Sequence, residues 1–320
     1  MKKRIKILKT ILIVFISAVF ALASGGFIVY NYFPSILEKF HQRRAFHNLG
    51  FSIRTVSVGE DVFEYAESGE GDTTLVFLHG FQGDKFSWIP YCRKLPKNSF
   101  RIILPDFSGH GGSSEHKDQK YDLYSMAENI KKFVDAKGLK NFHLIGTSMG
   151  GGVATVFAAK YPNKINTLTL INPVGVQPPL KSDLQVALDQ GKNLLMPSNM
   201  DDLDLFFEVL IGEKCNLSEH FKQYYLDKLD KKRAFFENAF KQLVESHPID
   251  NLISKISKPT LFIMSEKDRI LHPSSFEVFY KGFPNARLLK IKNGTHVLIG
   301  KHLDVAVQAL VSFVNSQSVR

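Results

Sequence analysis

Asn141-Phe142-His143-Leu144-Ile145-Gly146-Thr147-Ser148-Met149-Gly150-Gly151-Gly152 is the stretch whose reading decides the fold. Its first five residues are almost continuously apolar, as expected of a short buried strand. After the glycines, Val153-Ala154-Thr155-Val156-Phe157-Ala158-Ala159 reads as a small, apolar helix face that stops at Tyr161-Pro162. A G-x-S-x-G set between strand and helix is a nucleophile elbow. The turn is so sharp that flanking side chains must be nearly absent, and the serine hydroxyl stands clear above the sheet.

Outward from that turn the chain keeps a strand-helix rhythm. Upstream, 55–58 and 62–65 alternate as a hairpin around Gly59-Glu60-Asp61. Leu75-Val76-Phe77-Leu78 and Arg101-Ile102-Ile103-Leu104 are short buried strands, and 123–136 has helical spacing. Downstream come strands at 165–171, 260–264 and 286–291, then a closing helix over 303–314. Eight strands with helices between them imply a mostly parallel sheet covered on both faces, an α/β fold. The rhythm breaks over 176–249. Leu203, Phe206, Phe207, Leu210 and Ile211 recur there at helical spacing, as do Phe221, Tyr224, Tyr225 and Leu229, and then Phe235, Phe236 and Phe240. The segment reads as a helical cap over the carboxyl end of the sheet. The expected organisation is an N-terminal segment at 1–37, a juxtamembrane stretch at 38–54, a core at 55–175 and 250–320, and the cap at 176–249.

The composition suits one large domain with an insertion. The 320 residues are 44% hydrophobic and 12% aromatic, enough to bury a substantial core. The formal net charge is +10, but Lys2, Lys3, Arg4, Lys6 and Lys9 crowd the extreme N-terminus and the rest is dispersed. With no basic run interleaved with aromatics and no zinc-finger spacing, nucleic acid is not an expected partner. Cys92 and Cys215 make neither a disulfide framework nor a metal cluster, and their pairing stays open.

From Thr10 to Leu37 the chain carries no charge. The core of that stretch, 11–33, would span roughly 34 Å as a helix, enough to cross a bilayer. Ala21-Leu22-Ala23 offers a cleavage site, so a removable signal peptide is the alternative. The apolar run resumes beyond it, and Tyr30, Tyr32 and Phe33 form an interfacial aromatic belt, which favours an uncleaved anchor. The basic start places the N-terminus in the cytoplasm and the main domain on the other side. Residues 36–50 mix apolar and basic side chains at irregular spacing, a weak signal for a surface-lying helix.

A serine hydroxyl needs a base, and the base needs an acid to fix its tautomer. Of eleven histidines, His296 lies in a short loop after the last strand, where an open α/β sheet presents side chains to its carboxyl-end crevice. His302 is the alternative but falls on the closing helix, and His143 sits inside a strand as a core residue. Asp268 follows the 260–264 strand, two residues past the alternative Glu266. Asp106 precedes the elbow and opens Asp106-Phe107-Ser108-Gly109-His110-Gly111, a turn held by aspartate hydrogen bonds. The oxyanion donors are expected from the amides of Met149 and of Phe81, in His79-Gly80-Phe81 after the 75–78 strand.

Together, His79-Gly80-Phe81, 106–111, 146–152, Asp268 and His296 resemble an α/β-hydrolase, and Ser148, Asp268 and His296 follow in that fold's order. The anchor, Gly146-Thr147-Ser148-Met149-Gly150-Gly151 and Asn172-Pro173-Val174-Gly175-Val176-Gln177 resemble the membrane-anchored monoacylglycerol lipases and their bacterial lipase and phospholipase A relatives. The resemblance implies a serine hydrolase without cofactor or metal, acting on acyl esters of lipids at a membrane, periplasmic if bacterial. A small-ester carboxylesterase and a catalytically silent ligand-binding member are the alternatives. Serine at 148 departs from the dehalogenase and epoxide-hydrolase relatives, which need a carboxylate there. Some lipases carry their acid where Asn172 stands, which leaves Asp268 as the acid.

Overall fold

The computed structural model describes residues 34–318, apart from 117, 247, 284 and 285. The apolar stretch 11–33, and with it the expected anchor or signal peptide, lies outside the described residues. No helix among the described residues is long and apolar enough to cross a membrane.

Eight strands form one sheet: β1 Ser52–Val58, β2 Asp61–Ser68, β3 Thr74–Leu78, β4 Arg101–Pro105, β5 Phe142–Thr147, β6 Ile165–Ile171, β7 Thr260–Ser265 and β8 Ala286–Ile291. Their order is β1-β2-β4-β3-β5-β6-β7-β8. Only β2 runs antiparallel to its neighbours β1 and β4. From β4 through β3, β5, β6 and β7 to β8 every pairing is parallel, so these strands open their carboxyl ends on one edge. The hairpin turn is tighter than the sequence suggests. Asp61 pairs with Val58, which leaves Gly59 and Glu60 to make it, with Gly59 at φ +61°.

The near-continuous apolar strands are explained by cover on both faces. On β3, Val76 and Leu78 point into one core cluster and Leu75 and Phe77 into the other; β7 divides Phe262 and Met264 from Leu261 and Ile263 in the same way. The first cluster lies under α3 Leu123–Ala136 and α4 Met149–Lys160, which follow α1 Pro34–Asn48 and the one-turn α2 Ile89–Cys92. The second is closed by the last helix, which runs 300–318, longer than its apolar spacing alone suggests, and brings in Leu303, Val307, Leu310 and Phe313.

Between β6 and β7 lie α5 Asp183–Asp189, α6 Met200–Ile211, α7 Glu219–Asp230, α8 Arg233–Val244 and the short α9 Asp250–Ile253. They are followed after β7 by α10 Ser275–Gly282, and α11 Gly300–Ser318 ends the described chain. These insertion helices have small cores of their own, such as Leu203, Phe206 and Leu226. α1 is fastened to α7 by Glu38, which accepts from the Tyr224 hydroxyl at 2.5 Å and from Lys228 Nζ at 2.8 Å. Its Phe46 is buried and stacks on Phe51 with ring centres 4.9 Å apart. Both cysteines are free; Cys92 is buried and Cys215 half-buried.

Candidate active site

Ser148 occupies the turn between β5 and α4 with φ +52° and ψ −120°, outside the regions a side-chain-bearing residue normally adopts. The neighbouring glycines are required by space. A Cβ on Gly146 would stand 2.2 Å from the Gly150 carbonyl oxygen, and one on Gly150 would stand 2.2 Å from that of Leu78. The strain is held by the backbone: Ser148 N–H donates to Ile171 O at 3.0 Å, and the Ser148 carbonyl accepts from Gly151, Gly152 and Val174.

His296 and Asp268 follow β8 and β7 on the same carboxyl edge, and both are buried. His296 Nδ1 lies 2.7 Å from Asp268 Oδ2, and its Nε2 lies 3.0 Å from Ser148 Oγ. A carboxylate only accepts, so Nδ1 carries the proton and Nε2 offers its lone pair to the hydroxyl. The other oxygen of Asp268 accepts from the Ile270 and Leu271 amides at 2.8 and 2.9 Å, which fixes the carboxylate. Of the residues weighed in the sequence, Glu266 is exposed, His302 lies in α11, and His143 is buried in the sheet 2.8 Å from Thr167 Oγ1.

The loop after β3 passes directly over the elbow, where even a Cβ on Gly80 would touch the Ser148 Cβ at 3.4 Å. His79 organises it. Its Nε2 accepts from the Phe107 amide at 3.1 Å, so Nδ1 is the protonated nitrogen and donates to the Gly80 carbonyl at 2.8 Å. Burial pushes the His79 imidazole down to about 4 and that of neighbouring His110 to about 3, so both are neutral at pH 7. Met149 begins α4, where the first helical amides have no intrahelical partner, and Phe81 follows Gly80 in the loop. Gly80, Phe81 and Ser148 line one crevice, so the loop after β3 and the elbow face the same space.

Three features of the site escape sequence reading. Asn172, after β6, donates from Nδ2 to the His296 carbonyl and to Ser265 Oγ, and accepts the Ser265 amide. Lys85 is buried against Asp106: its amide and its ammonium each lie 2.6 Å from that carboxylate. Asp106 does hold its own turn through the Gly112 amide at 2.8 Å, but Lys85 is its main partner. Gln82 ties the loop after β3 to the insertion, donating to Leu195 O at 2.9 Å. Burial alone would depress Lys85, but Asp106 and Glu64 hold its ammonium above its ordinary range. Among the described residues no group of histidine, cysteine and carboxylate side chains could hold a metal ion.

The crevice above Ser148 has a volume of about 240 Å³, with Leu195, Phe206, Leu210, Ile270 and Leu298 among its walls. Leu195, Phe206 and Leu210 come from the insertion between β6 and β7, so that segment roofs the serine.

The fold has known counterparts. A family model for the alpha/beta hydrolase fold matches residues 73–204. Monoacylglycerol lipase abhd6-B of Xenopus laevis is 29% identical over 282 residues, covering 84% of this chain and 83% of that protein. Lipase 1 of Psychrobacter immobilis is 27% identical over 249 residues, covering 76% and 78%. The crystal structure of a membrane phospholipase A, a bacterial virulence factor, superposes with a TM-score of 0.84 at 28% identity, over 95% of this chain and 98% of that one. The chain has the α/β-hydrolase fold.

Proposed function

We propose that this chain is a serine hydrolase that cleaves carboxylic esters of lipids through Ser148, His296 and Asp268. The observation that carries the reading is the continuous hydrogen-bonded path from Asp268 through His296 to Ser148 Oγ, ending on a strained elbow beneath an apolar roof. His296 Nε2 takes the hydroxyl proton as Oγ bonds to the ester carbon. The carbonyl oxygen, now anionic, is held by the amides of Phe81 and Met149. Collapse breaks the bond to the alcohol, which leaves with the proton from His296, and an acyl-enzyme remains. Water then repeats the sequence, giving its proton to His296 and its oxygen to the acyl carbon, and Ser148 is restored.

Lipid esters fit the apolar lining and the lipase names of the relatives. The uncharged stretch 11–33, preceded by five cations, and the similarity to a membrane phospholipase A support an anchored protein with its catalytic domain on the non-cytoplasmic side. A mature N-terminus at Ser24 would replace the anchor by a cleaved signal peptide.

Comparing acetyl, octanoyl and palmitoyl esters under equal presentation tests the substrate class. Each buried methylene contributes about 0.8 kcal/mol, so kcat/KM should rise from acetyl to the longer chains. A maximum at acetyl would make the protein a small-ester carboxylesterase.

A further inference from the structure

The loop after β3 turns at Gly80-Phe81-Gln82-Gly83, where the Gly83 amide donates to the Gly80 carbonyl at 3.1 Å. Gln82, third in the turn, sits at φ +59°, whereas Phe81 before it is not left-handed. That combination is a type II turn, whose third position suits glycine or asparagine. A glutamine there strains the backbone. Its side chain accounts for its presence. Both hydrogens of Nε2 are used, one on Leu195 O at 2.9 Å and one on Met196 Sδ at 3.0 Å.

The stretch that accepts these bonds, 195–197, is gripped from its other side by the insertion. Arg233, the first residue of α8, donates from Nη2 to Pro197 O at 2.7 Å and from Nε to Asp230 at 2.7 Å. From there α8 returns to the turn, for Phe236 and Phe240 each pack on Phe81 with ring centres 5.6 Å apart. Gln82, the 195–197 stretch, Arg233, α8 and Phe81 therefore close a ring of contacts. Two members of that ring face Ser148: Leu195 is a wall of the crevice, and Phe81 carries an amide assigned to the oxyanion in the proposed reaction.

Opening the ring at Gln82 acts on the turn before it acts on the roof. Without the pull on its side chain, the turn can relax toward type I, which needs no left-handed residue. The two types differ by a rotation of the peptide between Phe81 and Gln82, which changes the torsions of Phe81 itself. An oxyanion donor works only within about 2.7–3.1 Å of its target, so a rotation of that kind removes it from range. The 195–197 stretch meanwhile stays bonded to Arg233, and the crevice keeps its wall.

We propose that Gln82 is a positioning residue for the hydrolysis: its bond to the 195–197 stretch holds the turn in its left-handed form and keeps the Phe81 amide in place for the transition state. The insertion thereby serves the chemistry as well as the crevice, because the oxyanion donor is set by a contact with it. The proposal rests on the reading of Ser148 as the nucleophile and Phe81 as an oxyanion donor, and adds what holds that donor.

The test uses the full chain in neutral detergent, octanoylglycerol as the ester and an octyl trifluoromethyl ketone as a probe. On the ketone, Ser148 Oγ bonds to the carbonyl carbon, His296 takes the hydroxyl proton and the ketone oxygen becomes an anion, so its affinity reads the oxyanion donors. Gln82→Met keeps the length of the side chain without a donor, and Gln82→Gly removes the side chain while suiting φ +59° better. Turnover is referred to the sites that a fluorophosphonate titrates, so that an unfolded fraction does not count. Both variants should lose kcat roughly tenfold or more with KM nearly unmoved, a part of the about 10²–10³-fold that removing an oxyanion donor costs. Affinity for the ketone should fall by the same factor. Gln82→Gly as active as the parent would show that the backbone of the turn suffices, and overturns the proposal alone. So does a rise in KM at unchanged kcat, or a ketone bound as tightly as by the parent while kcat falls. No hydrolysis by the parent, or undiminished hydrolysis by Ser148→Ala, overturns the reading of Ser148 and the proposal with it.

Discussion

Asn172 holds the carbonyl of His296 by a hydrogen bond of 2.9 Å from its Nδ2, and the same side chain grips Ser265 through both its amide and its hydroxyl. The end of β6 is thereby stitched to the end of β7 and to the loop that carries the imidazole. The side chain is buried and its backbone lies at φ +42°, a conformation asparagine tolerates better than most residues.

Asn172→Ala should therefore loosen His296 as well as weaken the fold. Leaving the Ser265 amide and the His296 carbonyl without this partner costs about 1–3 kcal/mol. Urea unfolding should show that loss, and kcat on a soluble ester should fall about tenfold with KM nearly unmoved, as expected for a lost transition-state geometry. An unchanged kcat would reduce Asn172 to a packing residue.

The buried pair of Lys85 and Asp106 gives a second prediction. Asp106 is wholly inaccessible and Lys85 nearly so, and the ammonium also meets Glu64 at 2.5 Å. Lys85→Met keeps the bulk of the side chain but leaves the carboxylate without its counter-charge, which should destabilise the protein by about 3–5 kcal/mol in denaturant unfolding. Adding Asp106→Asn should recover part of that loss. A single variant as stable as the parent would show that Asp106 does not need the ammonium.

Three buried histidines predict a sensitivity to mild acid. Burial lowers His79 and His143 from 6.5 to about 4, and His110 to about 3. Between these values and 6.5 the unfolded chain binds protons that the folded chain refuses, so stability is complete above pH 6.5 and falls as the pH falls. For His79 the loss across the window is on the order of 3 kcal/mol. Melting temperature should drop steadily from pH 7 to pH 5, above the range where ordinary carboxylates titrate. A flat profile over that interval would contradict the burial of neutral imidazoles.

The sheet and the elbow were legible because their signals are local. Phe142 to Ile145 runs apolar into Gly146, the strand before Asp268 is a short buried run, and the half-exposed edge strand before His296 is marked by Leu288, Leu289 and Ile291 ahead of its loop. α1 was only faintly legible, since its apolar residues follow no helical stripe and its place is set by Glu38 reaching α7 and Phe46 stacking on Phe51. Gln82 was not legible as part of the site, and Asn172 was legible only as the place where some lipases carry their acid, not as the support of His296. Gln82 meets Leu195, and Asn172 meets His296, across more than a hundred residues of chain. No spacing rule reaches that far, because the sheet order and the path of the insertion decide who meets whom. Lys85 illustrates the same point from the other side: a lone lysine after a strand reads as solvated until the fold buries it on Asp106.

The central claim is that Ser148 attacks the ester carbon with His296 as its base. It is tested most directly by treating the full chain and its Ser148→Ala, His296→Ala and Asp268→Asn variants with a fluorophosphonate probe, alongside kcat on an octanoyl ester. The account predicts labelling of the parent at Ser148, none of Ser148→Ala, and turnover lowered by about 10⁴-fold or more in each variant. Labelling of Ser148→Ala as strong as that of the parent would place the nucleophile elsewhere and contradict the account.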